Sequence, residues 1–393
     1  MTIVVTLLTL LAPLAMLPVN AALCSKHKKY IWLYCGLIAL GLAAIGYNYA
    51  PFSWENADLN RHFLYMERVQ QSGMTWQEAS ETKIFEGLPI YFVLIKIFSF
   101  FSEPQLLPAF TTFVGYFICL YIVFKLDSSN DINITFLTLF VVLSCIYFLG
   151  FSSGIRQYLA FTFFLIAFYF ESVEEKYKKT AWVVYFAITG LHTTGVILIA
   201  LRLAGEVLYR AKNKTIPIML VLIWSVFQNM IVDMLGSLFG GNVVIDKLVE
   251  LAGHYSEHGS KVIWPFYVWR MFFAIICLIA VIVIIKTRND DDKVTERYLY
   301  FSLTVLLFTF GGLTSYDVFA RFSAFSFMLV LPLISIYLKK IPKESRGIFI
   351  FGLTAAGVLV LFVNFWGYSQ THFNNLLDML FTNIFTFIRG IIG

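Results

Sequence analysis

Apolar runs long enough to leave water altogether recur along this chain, at residues 2–22, 133–151, 216–238, 263–285 and 347–367. A helix needs about 20 apolar residues to cross the hydrocarbon core of a bilayer. Backbone in lipid must satisfy its own hydrogen bonds, which leaves helices or closed barrels. Barrel strands are short and alternate in polarity, and these runs do neither. Composition agrees: 59% of the 393 residues are hydrophobic and only 13% are charged, against about 25% charged in ordinary soluble domains. The chain reads as an all-α polytopic integral membrane protein. Its first run has no basic start and no small-residue cleavage site, so a retained helix is expected there, not a signal peptide.

The net charge of +5 matters through its location. No basic stretch is interleaved with aromatics in a soluble domain, which argues against nucleic acid as a partner. The five cysteines (24, 35, 119, 145 and 277) lie in or beside apolar runs without metal-ligand spacing. They are expected to pack as small apolar residues, with no disulfides.

Lys and Arg collect on the cytoplasmic side of short loops. Six stretches are basic: 24–29, 125–131, 174–179, 208–214, 286–297 and 339–346. Placing all six inside gives about twelve transmembrane helices in one membrane domain spanning 1–393. External loops are then expected at 49–104 and 239–262, with an amphipathic tail at 368–393. This scheme requires 180–202 to be two short helices meeting near His192. It also requires 86–102, with Pro89 near its start and Lys96 at its centre, to lie at the interface instead of crossing. The other scheme lets 86–102 cross, makes 180–202 one helix and puts Arg156 inside.

Most residues with chemical potential fall in the external segments. In 56–73, Asp58, Arg61, Tyr65 and Arg68 share one stripe of a helix, and His62 borders it. The stripe reads as a solvated charged face or as a headgroup-binding surface with Asp58 as a base. Thr75 and Glu78 match a capping box for a second short helix. His254, Glu257 and His258 spell H-x-x-E-H, but Gly253 and Gly259 bracket them and no third ligand is evident, so no metal site is expected.

Two arginines open helices beside small or polar residues: Arg156 after Ser152, Ser153 and Gly154, and Arg321 after Thr314 and Ser315. An arginine there can snorkel to the interface. It can also join the partial positive charge of a helix start to hold a phosphate or diphosphate. His192, inside an apolar stretch, reads either as a helix–helix hydrogen-bonding residue or as an acid, base or phosphate ligand.

The order of these features resembles a known family. Asp58…Arg61 comes first, then Glu86-Gly-Leu-Pro, then Gly154-Ile-Arg-Gln157 opening a helix, then His192, then Ala320-Arg321-Phe322. Together they resemble the EpsG family of bacterial polysaccharide polymerases, a branch of the Wzy-type polymerases. Where the family tends to show Asp-x-x-Arg-Tyr, this chain has His62 after Arg61. The resemblance implies a GT-C-like helical architecture and a polymerase that joins undecaprenyl-diphosphate-linked oligosaccharide repeat units outside the cytoplasmic membrane. It implies Asp58, Arg156, His192 and Arg321 as catalytic residues. Arg61, His62, Tyr65, Arg68, Glu86, Gln157, Tyr316 and Asp317 would contact substrate. No cofactor or metal is expected. Membrane lipids and a chain-length regulator are the further partners expected, and nucleic acid is not. The rival readings are another polyprenyl-phosphate-dependent glycosyltransferase or ligase, and a lipid-linked oligosaccharide flippase.

Overall fold

The computed structural model describes residues 2–49, 58–82, 84–127, 132–239, 264–288, 294–314 and 316–340, with single positions between 344 and 358. All regular structure among them is helical, without strands. The chain packs as two compact units, 1–199 with 348–393, and 200–347.

The first unit opens with α1 (Thr2–Leu11) and α2 (Leu17–Lys26). The single helix expected over 2–22 is therefore two. Pro13 lies in the break, and Pro18 sits in the first turn of α2, where a missing N–H goes unused. α3 (Ile31–Tyr47) follows, then α4 (Asp58–Ser72) and α5 (Trp76–Glu81). The capping box at the start of α5 is formed: the Glu78 N–H donates to Thr75 Oγ1, and the Thr75 N–H donates to Glu78 Oε2 at 2.7 Å. α6 (Pro89–Phe98) is ten residues long. At about 1.5 Å per residue it covers about 15 Å, half a hydrocarbon core.

α7 (Leu106–Leu126) is long and apolar. The run at 133–151, expected as one crossing helix, divides into α8 (Ile132–Cys145) and α9 (Phe148–Ser152). α7 supplies the bonds that hold the break. The Tyr116 hydroxyl donates to the Ile146 carbonyl at 3.2 Å, and the Thr111 hydroxyl donates to the Phe151 carbonyl at 2.6 Å. α7 also comes close enough to α9 that a Cβ on Gly115 would lie 2.1 Å from the Phe151 ring. α10 (Ile155–Ser172) then runs antiparallel to α11 (Lys178–Ala187), with the Tyr185 hydroxyl donating to Glu171 at 2.6 Å. A single 3-10 turn at Ile188–Gly190 and the His192 turn separate α11 from α12 (Thr194–Arg210), so 180–202 is two helices.

The boundary between units falls inside α12. The second unit continues with α13 (Thr215–Phe239), kinked at Phe227, and α14 (Trp264–Thr287). α15 (Glu296–Gly311), α16 (Tyr316–Val330) and α17 (Ile334–Lys340) complete it, with a 3-10 turn containing Pro332 between the last two. Buried hydroxyls tie α15 to α16: Tyr298 donates to the Leu329 carbonyl at 2.7 Å, and the Thr309 and Ser326 hydroxyls stand 2.9 Å apart. Glu206 of α12 accepts from Arg202, from Arg210 and, through two nitrogens, from Arg297 of α15.

Among the described residues four helical spans are long and apolar enough to cross a membrane: Lys28–Tyr47, Leu106–Leu126, Tyr267–Thr287 and Val318–Leu338. The sequence led to an expectation of about twelve. Two further apolar helices among the described residues, Pro89–Phe98 and Ile132–Cys145, have only 10 to 17 residues. The H-x-x-E-H string at 254–258 and the tail at 368–393 lie outside the described residues.

Candidate functional site

Gly87 has φ +68°, a left-handed conformation suited to glycine, and turns the chain from exposed Glu86 into α6. Pro89 then occupies the first turn of α6. α4 packs on α6 through one face, on which Leu59, His62, Met66 and Val69 are buried. The neighbouring stripe, Asp58, Arg61 and Arg68, is exposed, with Tyr65 half-buried. Asp58 and Arg61 form an ion pair one turn apart. Tyr65 packs edge-on against Phe85, whose ring in turn meets Tyr91.

His62 and Arg156 meet at Tyr91. His62 Nδ1 is 2.6 Å from the Tyr91 hydroxyl, with the two rings edge to face. Arg156, in the first turn of α10, lays its guanidinium over the Tyr91 ring with Cζ 4.7 Å from the centroid. Ser153, just before α10, accepts a hydrogen bond from the Leu59 N–H at 3.3 Å. That N–H is one of the donors a helix start leaves without an intrahelical acceptor. The residues preceding Arg156 therefore also anchor α4.

Electrostatics fix the protonation of this cluster. Burial, reinforced by the charges of Arg156 and Arg61, lowers the His62 pKa to about 3, although a ring hydrogen bond to the Ser153 backbone works the other way. His62 is therefore neutral at physiological pH. Its bond to the Ser153 carbonyl uses one ring nitrogen as donor, so we assign Nδ1 as the acceptor from the Tyr91 hydroxyl. Burial also raises the Tyr91 pKa, which keeps the phenol protonated. Two neutral groups thus support one permanent cation. No carboxylate among the described residues pairs with Arg156. A guanidinium over an aromatic ring carries five N–H donors in a planar fork, suited to bidentate bonds with phosphate oxygens. Next to it, Gln157 is buried, with its side-chain nitrogen lacking a hydrogen-bond acceptor.

The His192 turn rests on the same α6. A Cβ on Gly190 would stand 2.8 Å from Pro89 Cγ, an approach that requires glycine. His192 is half-buried, and its Nδ1 accepts from the Thr194 N–H at 3.0 Å. A neutral His192 ring therefore carries its proton on Nε2. The first unit thus gathers Arg61, His62, Tyr65, Arg156 and the His192 turn around α6. It leaves Arg68 and Glu86 exposed at the periphery.

Arg321 belongs to the second unit, half-buried on α16, with Tyr316 and Asp317 in the first turn of the same helix. Two participants escape a reading of the sequence. Tyr91 sits in an apolar run where an aromatic residue carries no periodic signal. Arg270 sits inside the run 263–285; it is buried and donates to the Ala320 carbonyl and to Ser323 Oγ of α16. An arginine within a membrane-length apolar run is itself a signal worth following. Among the described residues no group of three His, Cys, Asp or Glu is placed to hold a metal ion.

Helices of membrane-spanning length and an arginine-centred polar cluster define the class: a polytopic helical membrane protein. The EpsG family model matches residues 60–377, most of the chain, and the chain belongs to the EpsG family, a Wzy-like family of polysaccharide polymerases. No curated protein and no solved structure is matched.

Proposed function

We propose that this protein polymerises undecaprenyl-diphosphate-linked oligosaccharide repeat units into a surface polysaccharide, at the external face of the bacterial cytoplasmic membrane. About twelve crossings in a GT-C-like arrangement, with the Arg156 end of α10 facing out, belong to the same proposal. The observation that carries it is the Arg156 guanidinium, stacked on Tyr91 and in no carboxylate pair among the described residues. It is a cation held ready for an anion.

In the reaction, an acceptor hydroxyl attacks the anomeric carbon of the donor. The bond from that carbon to the diphosphate oxygen breaks, and the lipid diphosphate departs with the electron pair. Arg156 stabilises the charge that grows on the leaving oxygens. His192, with Nδ1 already accepting from Thr194, donates from Nε2 to the same group. Asp58 is the carboxylate for the acceptor proton, and Arg61 holds it in place. His62 stays neutral and serves to position Tyr91. Arg321, on α16 of the second unit, is proposed as a phosphate-binding residue in its own right. The chemistry asks for no cofactor. The product is O-antigen, capsule or exopolysaccharide, and a chain-length regulator is a fitting partner.

The glycan profile of a deletion strain tests the reading. A polymerase leaves single repeat units on the surface and no long chains, restored by the wild-type gene. Loss of all surface glycan with carrier-linked units trapped inside marks a flippase. Long chains that stay on the carrier mark a ligase. Either of these outcomes overturns the proposal.

A further inference from the structure

α4 has a third face. Successive residues turn about 100° around a helix, which sets Asn60, Phe63, Glu67 and Gln70 apart from both the buried face and the Asp58–Arg61 stripe. This third face and the turn that follows α6 enclose a cleft of about 690 Å³. Such a volume falls within the usual range of ligand sites, about 300–1,000 Å³. Across from α4 the wall is formed by Ser99, Phe101, Ser102 and Pro104, and α4 itself adds the apolar Leu64 and Met66.

We infer that this cleft binds the neutral oligosaccharide portion of the acceptor; the inference rests on the polymerase reading and extends it. The lining matches the two surfaces of a sugar ring. A pyranose has an apolar face of C–H groups and a rim of hydroxyls that both donate and accept. Phe63 and Phe101 offer rings to the first. The amides of Asn60 and Gln70 and the Glu67 carboxylate offer both kinds of partner to the second, and the Ser99 hydroxyl, whose proton goes to the Lys96 carbonyl at 2.8 Å, adds an acceptor. Gln71 donates to Glu67 Oε1 at 2.9 Å, which holds the carboxylate in one orientation before any ligand arrives.

Two other occupants fit less well. The lining contains no Lys or Arg, so a diphosphate finds no counter-charge. A lipid chain would take Glu67, Asn60 and Gln70 out of water without replacing their hydrogen bonds, which is costly. The cleft face adjoins the buried face of α4 that carries His62. Phe63 directly follows His62, and Glu67 lies about 7.5 Å further along the helix axis at about 1.5 Å per residue. One helix therefore joins the diphosphate-facing cluster on one side to a sugar cleft on the next.

The test uses the full-length protein in lipid nanodiscs. The probe is the strain's own repeat-unit oligosaccharide, freed of lipid and diphosphate by mild acid, with binding followed by saturation-transfer NMR and titration. Wild type binds the probe. Phe101→Ala and Glu67→Ala each weaken it about tenfold or more, the size expected for removing an anchoring side chain. Phe101→Tyr retains affinity, which separates loss of the ring from loss of the fold. Wild-type affinity in both alanine variants overturns the inference, as does no binding by wild type. A photoreactive lipid that cross-links to Phe101 and is not displaced by the oligosaccharide overturns it as well. The deletion-strain glycan profile decides the polymerase reading independently. Single-unit glycan in that strain together with unaltered probe binding in the alanine variants removes the cleft assignment alone.

Discussion

The Arg156 guanidinium carbon stands 4.7 Å from the centre of the Tyr91 ring, so the cation on α10 is oriented by an aromatic side chain on α6. The arrangement separates the roles of ring, hydroxyl and charge. Arg156→Ala abolishes long-chain glycan at normal protein level. Arg156→Lys recovers little, because an ammonium lacks the planar fork. Tyr91→Phe keeps the ring and most of the polymer, whereas Tyr91→Leu loses both. Glycan ladders on gels, beside immunoblots for protein level, measure all four.

His62 makes the seating of α4 depend on pH. Its pKa in the folded protein is lowered to about 3, against about 6.5 when unfolded. Between these values the unfolded state binds more protons, so stability rises with pH there and is flat above about 6.5. As pH falls from about 6.5 toward 3, the packing of α4 on α6 weakens by up to about 1.4 kcal/mol per unit. Hydrogen exchange of α4 amides, read at pH 5 and pH 7 and corrected for intrinsic rates, is expected to show lower protection at pH 5. In His62→Gln the difference shrinks.

Glu206 holds three arginines of the second unit, with Arg202 at only 4% side-chain exposure. Glu206→Gln removes their shared negative charge at a half-buried site. The cost falls between the ~0–1 kcal/mol of exposed pairs and the ~3–5 kcal/mol of buried ones. Reduced accumulation and a lower midpoint of thermal unfolding in detergent are expected, with Arg210→Gln much milder because its side chain is 72% exposed.

Gly115 lets α7 accept the Phe151 ring, which a Cβ would meet at 2.1 Å. Gly115→Ala pushes α9 outward and costs about 1–3 kcal/mol by overpacking. Because α9 leads into Ser153 and Arg156, polymer length falls along with stability. Gly115→Ala paired with Phe151→Leu restores part of both, measured by thermal unfolding and glycan ladder.

Sidedness is open to direct chemistry. The five native cysteines are buried, so a cysteine placed at exposed Arg68 or Glu86 stands out. An impermeant thiol reagent is expected to label both in intact spheroplasts. Labelling only after permeabilisation reverses the orientation.

Several elements were legible in the sequence for physical reasons. α4 was visible because its polar stripe repeats at helical spacing, and the α5 start because capping needs Thr75 and Glu78 three apart. The break at His192 followed from basic residues at both ends of one apolar stretch. Apolarity alone does not report where a helix stops. The runs at 2–22 and 133–151 each hide a break, one at Pro13 and one held by Tyr116 and Thr111 of α7. His62 seemed to border the charged stripe but is buried, because its partner Tyr91 is an aromatic residue within an apolar helix. Long-range partners of that kind leave no trace in local spacing. Arg270 is another case: its partners, the Ala320 carbonyl and Ser323, lie about 50 residues away on α16.

The bond between Leu59 and Ser153 joins residues 94 apart in the chain. Synthesis proceeds at about 5–20 residues per second. α4 therefore leaves the ribosome some 5–20 s before its anchor exists. During that interval α4 lacks the Ser153 acceptor for its first turn, and an amphipathic helix can rest in the headgroup layer. Assembly of the Arg156 cluster therefore waits on α9 and α10, well after α4 and α6 have been made.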